Sequence, residues 1–370
     1  MILSRIYAAP ATLLCCALLT SGASASPHHR RHSHAPAPPK QVVLDLTPVV
    51  VQPYVVPLPS GPAQAGFLRR MNLENGVEVR GTRSIAPPDV TTRTLFILSV
   101  TQSLEGGYDS VNLYDKGVLS WGVMQWTAGT GSLPPVLTFI KRRLLQTGQK
   151  AVWDKVFTRQ GLDADAKNLI AYGKPLLTSD DMRRAFRGSA LPGNYDPKVA
   201  GYWATVFARA GRQPAVQQFQ REYAEQVVDK VLALDVPAQK TTLAGLCHGD
   251  SFAEALAFAL WTNNPRHSLE YLADAAQLAK QRTGESDPAL WGPNSFREAL
   301  LTRCWTSRFG NWKERAALIA GKAAALHTAP PASLTPYERV CQTALSARKL
   351  QLASRRTRLK RSPRPLLTRR

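Results

Sequence analysis

Between residues 90 and 305, apolar side chains recur mostly at three- and four-residue steps, the spacing that lines one face of a helix. The run "TTRTLFILSVTQSLE" at 91–105 follows the breaker "PPD" and predicts a buried helix. Asp89 or a nearby threonine supplies its N-cap, and Gly106 and Gly107 stop it near Glu105. "LPPVLTFIKRRLLQ", "PAVQQFQREYAEQVVDKVLAL", "SFAEALAFALW", "RHSLEYLADAAQLAKQR" and "NSFREALLTRCW" predict further helices on the same ground. One segment changes period. "SVNLY" and "VLSW" are short β-like runs around the tight turn Asp115-Lys116-Gly117, which predicts a small hairpin. The pattern therefore reads as a mainly α chain with one β-hairpin, and no internal repeat is present.

The two ends depart from this pattern. Residues 1–25 carry a positive Arg5, a short apolar core and a small-x-small "ASA" at Ala23–Ala25, which reads as a signal peptide cleaved after Ala25. The alternative is an uncleaved anchor; the bulky residues before Cys15 and Cys16 argue against a lipoprotein. Residues 26–88 are rich in proline and histidine and read as an extended linker. Four of the seven histidines, at 28, 29, 32 and 34, could hold a transition metal loosely, but a solvated spacer is the simpler account. Residues 89–327 form the catalytic domain in this division, and 328–370 a basic tail. From Arg348 to Arg370 there are ten Lys or Arg and no acid, a self-repelling run that reads as an electrostatic tether or a solubilising end.

Composition bounds the partners. With 370 residues, 44% of them apolar, the chain can bury a sizeable core. Its net charge of +21 favours an anionic partner: nucleic acid, a membrane surface or an acidic polymer. Export leaves Cys247, Cys304 and Cys341, enough for one disulfide with three possible pairings. None of the three has metal-ligand spacing, so neither a structural zinc nor a cofactor is expected.

Candidate chemistry concentrates in "EGGYDSVNLYDKGVLSWGVMQWT", residues 105–127. Glycosidic cleavage needs a carboxylic acid to protonate the leaving oxygen and, in many enzymes, a second carboxylate to activate water or stabilise a cationic sugar. Glu105, closing an apolar helix at the negative end of its dipole, suits the proton donor. Asp115, in a polar hairpin turn, is expected to stay ionised, and Ser120 on the returning strand can hold a water. Tyr108, Tyr114, Trp121 and Trp126 offer flat faces to sugar rings, or fill the core. An acid in this role must face a groove and must not be claimed by an arginine.

This segment resembles the catalytic segment of the lysozyme-like superfamily. In phage-type lysozymes the catalytic Glu ends a helix, a hairpin bearing an Asp and a hydroxyl residue follows, and a small-residue turn leads into the next helix. The resemblance assigns those roles to Glu105, Asp115 and Ser120, with Gly122 in the turn. Ser120 departs from the usual Thr, and the spacing keeps Asp109 in reserve for Asp115. "GVMQ" is also similar to the "GLMQ" signature of lytic transglycosylases, matching at Gly122, Met124 and Gln125. Those enzymes work with the Glu alone, assisted by the sugar's own groups. Asn264 in "LWTNNP" is a faint echo of their later Tyr-Asn-Ala-Gly element.

The resemblance implies an α+β, mostly helical, two-lobed fold with the hairpin beside a cleft. It implies a secreted or periplasmic, monomeric enzyme acting on peptidoglycan glycan strands. Glu105 would be the general acid, with Asp115 and Ser120 positioning water. Tyr108, Tyr114, Gly122, Gln125, Trp126, Thr127 and Asn264 would contact the glycan. Chitosanase-like enzymes share the superfamily, but their cationic polymer conflicts with +21. The tail could hold an anionic wall polymer or a membrane surface. The rival class is a non-catalytic basic envelope- or nucleic-acid-binding protein, although no helix-turn-helix, zinc spacing or RNP-like motif accompanies the charge. A degenerate lysozyme fold serving as a scaffold is a further alternative.

Overall fold

Thr92 starts the central helix by accepting a hydrogen bond from the Leu95 N–H with its side chain, as an N-cap does. The helix ends where Gly106 takes a φ of 116° and its N–H donates to the Gln102 carbonyl at 2.6 Å. The computed structural model describes residues 44–56, 73–85, 92–236, 239–292, 294–307 and 310–326. All of them lie in the compact unit that begins at Val42. Eleven α-helices form among these residues. They are α1 (Arg93–Glu105), α2 (Leu133–Gln146), α3 (Lys150–Val156), α4 (Ser179–Arg187), α5 (Pro197–Arg212) and α6 (Pro214–Leu232). The rest are α7 (Leu243–Cys247), α8 (Ser251–Asn263), α9 (Pro265–Thr283), α10 (Ser295–Thr306) and α11 (Gly310–Leu326).

Helix α1 does not confine its apolar residues to one face, and Leu95, Ile97, Leu98 and Val100 are buried. Such a helix needs partners all round; α1 packs on α6, α8 and α11. The largest sheet has five antiparallel strands in sequence order: β1 (Gln52–Tyr54), β2 (Gly76–Val79), β3 (Val111–Asn112), β4 (Ser120–Trp121) and β5 (Trp126–Thr127). Alternation along β2 sends Val77 and Val79 into the core while Glu78 stays partly exposed. In register, Glu78 faces Asn112, Asn112 faces Ser120, and Ser120 faces Thr127. The sheet thus has a polar face carrying these four and a buried face carrying Val79, Val111, Trp121 and Trp126, with α5 packed on β2 and β3. A three-stranded sheet, β6 (Leu162–Ala164), β7 (Leu169–Ala171) and β8 (Lys174–Leu176), and a two-stranded pair, β9 (Asp235–Val236) and β10 (Thr241–Thr242), complete the strands.

The mainly α character with small antiparallel sheets agrees with the periodicity, and α1, α2, α6, α8, α9 and α10 form where apolar spacing predicts them. Several expectations need correction. Residues 44–56 and 73–85 are not linker: they supply β1 and β2, bury Val77, Val79 and Ile85, and are tied by Arg212 donating to the Thr47 carbonyl at 2.7 Å. The turn after Gly122 leads into β5, not directly into a helix, and α2 begins only at Leu133. Cys247 and Cys304 are both buried and not bridged to each other, which removes one of the three pairings. Residues 1–25, the four clustered histidines, Cys341 and the 348–370 tail lie outside the described residues. No helix among the described residues is long and apolar enough to cross a membrane.

Candidate active site

Where α1 ends against the polar face of the five-stranded sheet, a groove of about 470 Å3 opens. Glu105 lines it together with Gln102, Gly106, Asn112, Tyr114 and Lys322. The carboxyl of Glu105 is thus placed by a capped helix, and the opposite wall by β2 and β3. Asn112 donates to Gln125 Oε1 at 2.7 Å, and Gln125 donates to the Gly122 carbonyl at 3.1 Å, so the wall beside Glu105 is a hydrogen-bonded amide network. Tyr114 stacks on Tyr54 with centroids 3.8 Å apart and an interplanar angle of 16°. Burial raises the pKa of its phenol.

Glu105 meets one of its two requirements. It faces a groove, but Arg315 of α11 donates from Nη1 to its Oε1 at 2.6 Å. The two side chains are 15% and 16% exposed, so solvent screens the pair little. The expected unpaired proton donor is corrected to a paired one. Apolar spacing could not reveal a partner 210 residues away. In retrospect, the informative signal is that Arg315 and Lys322 stand seven residues apart, on one face of α11.

Asp115 and Ser120 are brought together, with Ser120 Oγ donating to Asp115 Oδ2 at 3.2 Å and the Gly117 N–H to Oδ1 at 2.8 Å. Neither lines the groove of Glu105. Ser120 is 1% exposed. Burial raises the pKa of Asp115, and Arg187, the Gly117 N–H and Ser120 only partly oppose this. The expectation of a solvated Asp115 in a polar turn is therefore corrected: the carboxyl is partly buried and its pKa is raised. The loop that holds it is pinned by Arg187 of α4, fully buried, which donates to the Val118 carbonyl at 3.0 Å and to the carbonyl of Asp115 while pairing with Glu74.

The other expected contacts divide. Tyr114 reaches the groove, and Gln125 stands beside it in the amide network. Tyr108 and Trp126 are buried at 5% exposure and serve the core, as Trp121 does. Gly122 is needed for close approach, but by protein: a Cβ there would collide with Gln220 Oε1 and come within 2.9 Å of the Trp126 ring. Thr127 shares a hydrogen bond with Thr130 at the edge strand. Asn264 caps α9 by accepting from the His267 N–H at 3.3 Å and lies outside the groove. Asp109, the reserve candidate, is fully buried; it pairs with Arg212 at 3.1 Å and accepts from the backbone N–H groups of Thr82 and Arg83 at 2.8 Å. Those bonds make it an anchor for the rim of the groove, not a reactant.

Two larger cavities lie elsewhere. One, of about 790 Å3, includes Lys240, His248, Lys280 and Asp287. The other, of about 880 Å3, lies beside β7 and β8. Among the described residues no group of three or more His, Cys, Asp or Glu is placed to hold a metal ion. Comparison with protein-family models, with curated proteins and with solved structures found no match to this chain.

Proposed function

We propose that this chain is an exported enzyme that cleaves the glycan strand of peptidoglycan, with Glu105 delivering a proton to the leaving glycosidic oxygen. The observation that carries the reading is the carboxyl of Glu105 at the end of α1, facing a groove lined by Asn112 and Tyr114. The lysozyme-like, two-lobed arrangement belongs to the same proposal. Arg315 must withdraw when a sugar enters, because a carboxylate held by a guanidinium is not a poised acid. Its hold is a single hydrogen bond to Oε1; Oε2 accepts none among the described residues.

One observation favours chemistry by Glu105 alone, with the sugar's own groups completing the reaction. Asp115 and Ser120 are bonded to each other and stand outside the groove's lining. Hydrolysis with Asp115 and Ser120 positioning water is the competing route and requires that loop to move. Digestion of purified sacculi, with mass analysis of the product ends, tests both. Anhydro ends support the Glu-alone route and reducing ends the hydrolytic one. Glu105→Gln should lower the rate by about 10²-fold or more with the fold intact. Retained cleavage in that variant, or no products from the unaltered chain, removes the proposal.

A further inference from the structure

The cavity beside β7 and β8, about 880 Å3 in volume, differs in chemistry from the Glu105 groove. Its lining includes Tyr172, Tyr202 and Trp203 together with Lys174, Arg184 and Lys198. Tyr172 and Gly173 form the two-residue turn between β7 and β8, and both have positive φ, 49° and 76°. That turn prefers Asn-Gly, and a bulky side chain at its first position is strained. The tyrosine is nevertheless 66% exposed, so burial of its ring offsets little of the strain. Strain kept for so small a packing return marks a candidate functional position.

The ring is also propped in place. The Tyr172 N–H donates to the Gly161 carbonyl at 2.6 Å, and a Cβ on Gly161 would sit 2.6 Å from the tyrosine ring. Only the missing side chain of Gly161 lets the ring lie there. Tyr172 and Tyr202 each meet Trp203 edge to face, at 6.0 and 5.2 Å, and Tyr202, 41% exposed, is anchored through its hydroxyl to Gln160. Two exposed phenol rings thus flank a buried indole on a rigid base.

Charge specifies the occupant further. Lys174, Arg184 and Lys198 are exposed, and Lys174 and Lys198 make no ion pair among the described residues. The one carboxylate in the lining, Asp181, lies 4.0 Å from Arg184, but it is bonded chiefly to Thr178 in the capping box of α4, and those hydrogen bonds lower its pKa. We propose that this cavity is a second glycan-binding site, in which sugar faces rest on Tyr172 and Tyr202 and sugar carboxylates meet Lys174, Arg184 and Lys198. It would hold an anionic strand away from the groove that cuts it. The identity of the strand rests on the function proposed above; the site itself does not.

The test uses the full chain carrying Glu105→Gln, so that nothing is consumed. Three probes are titrated calorimetrically: peptide-free peptidoglycan glycan strands, neutral chitohexaose, and poly-glutamate, which has charge without sugar rings. Tyr172→Asn keeps the positive-φ turn and deletes the ring, and its thermal unfolding should not fall. It should weaken binding of the strands by roughly three- to tenfold and leave poly-glutamate unchanged. Lys198→Glu should weaken the strands and spare chitohexaose. Unchanged strand affinity in both variants overturns the site, as does an equal loss for poly-glutamate, which would indicate an anionic polypeptide instead. Strand binding that depends on Tyr172, while the unaltered chain yields no cleavage products, removes the catalytic proposal alone. Cleavage with binding independent of Tyr172 removes only this one.

Discussion

Arg315 Nη1 and Glu105 Oε1 stand 2.6 Å apart across 210 residues of sequence, joining the end of α1 to the face of α11. If proton delivery requires this pair to open, its strength sets how much of the enzyme is competent. Arg315→Met keeps much of the apolar stem and removes the charge. Glu105 then has no guanidinium to shed, and cleavage per folded molecule should rise several-fold, while stability falls by about 1–3 kcal/mol. Arg315→Lys should lie between the two. An identical rate per folded molecule in all three chains would mean that the pair plays no part in turnover.

Asp115 gives a prediction of opposite sign from an ordinary paired carboxylate. Its pKa in the fold is raised by burial above the usual 3.8. Below that value both folded and unfolded chains carry the proton. As pH rises from there, the unfolded chain ionises first, and the folded state loses stability until its own carboxyl titrates. Asp115→Asn cannot ionise and escapes this loss. Urea denaturation should show the variant gaining on the unaltered chain as pH rises above the usual carboxylate value of 3.8. A gain that shrinks with pH would contradict the burial account. The same variant separates the two chemistries, because the Glu-alone route tolerates it and the water-positioning route does not.

Much of this arrangement was legible in the sequence because it is local. Thr92, the run "TLFILSV" and two glycines define α1 and fix where Glu105 falls. The alternation on either side of Asp115-Lys116-Gly117 defines the β3–β4 hairpin. What was not legible is tertiary. A proline-rich stretch reads as a spacer, yet Pro53 lies in β1, an edge strand, where a missing N–H costs no ladder bond. Aromatic residues near an acid suit sugar stacking or a core equally well, and Tyr108 and Trp126 went to the core. Glu105 is paired because Arg315 arrives from a helix far along the chain, and Asp115 is partly buried in a loop that Arg187 of α4 pins by its backbone.

Asp109 allows a separation of anchoring from chemistry. Its carboxylate is fully buried, holds the Thr82–Arg83 backbone at the groove's rim and faces Arg212, itself 6% exposed. Asn at this position can still accept from the two backbone N–H groups, but it leaves Arg212 without its counter-charge. Arg212 keeps its bonds to the carbonyls of Thr47 and Pro48, which carry no full charge. Breaking one side of a buried pair costs about 3–5 kcal/mol, and Asp109→Asn should lose that much in urea denaturation. Cleavage per folded molecule should stay within a few-fold of the unaltered chain, since the carboxylate touches no reacting atom. A loss comparable to that of Glu105→Gln, at undiminished stability, would instead put Asp109 in the chemistry and displace Asp115 from the water-positioning role in the hydrolytic route.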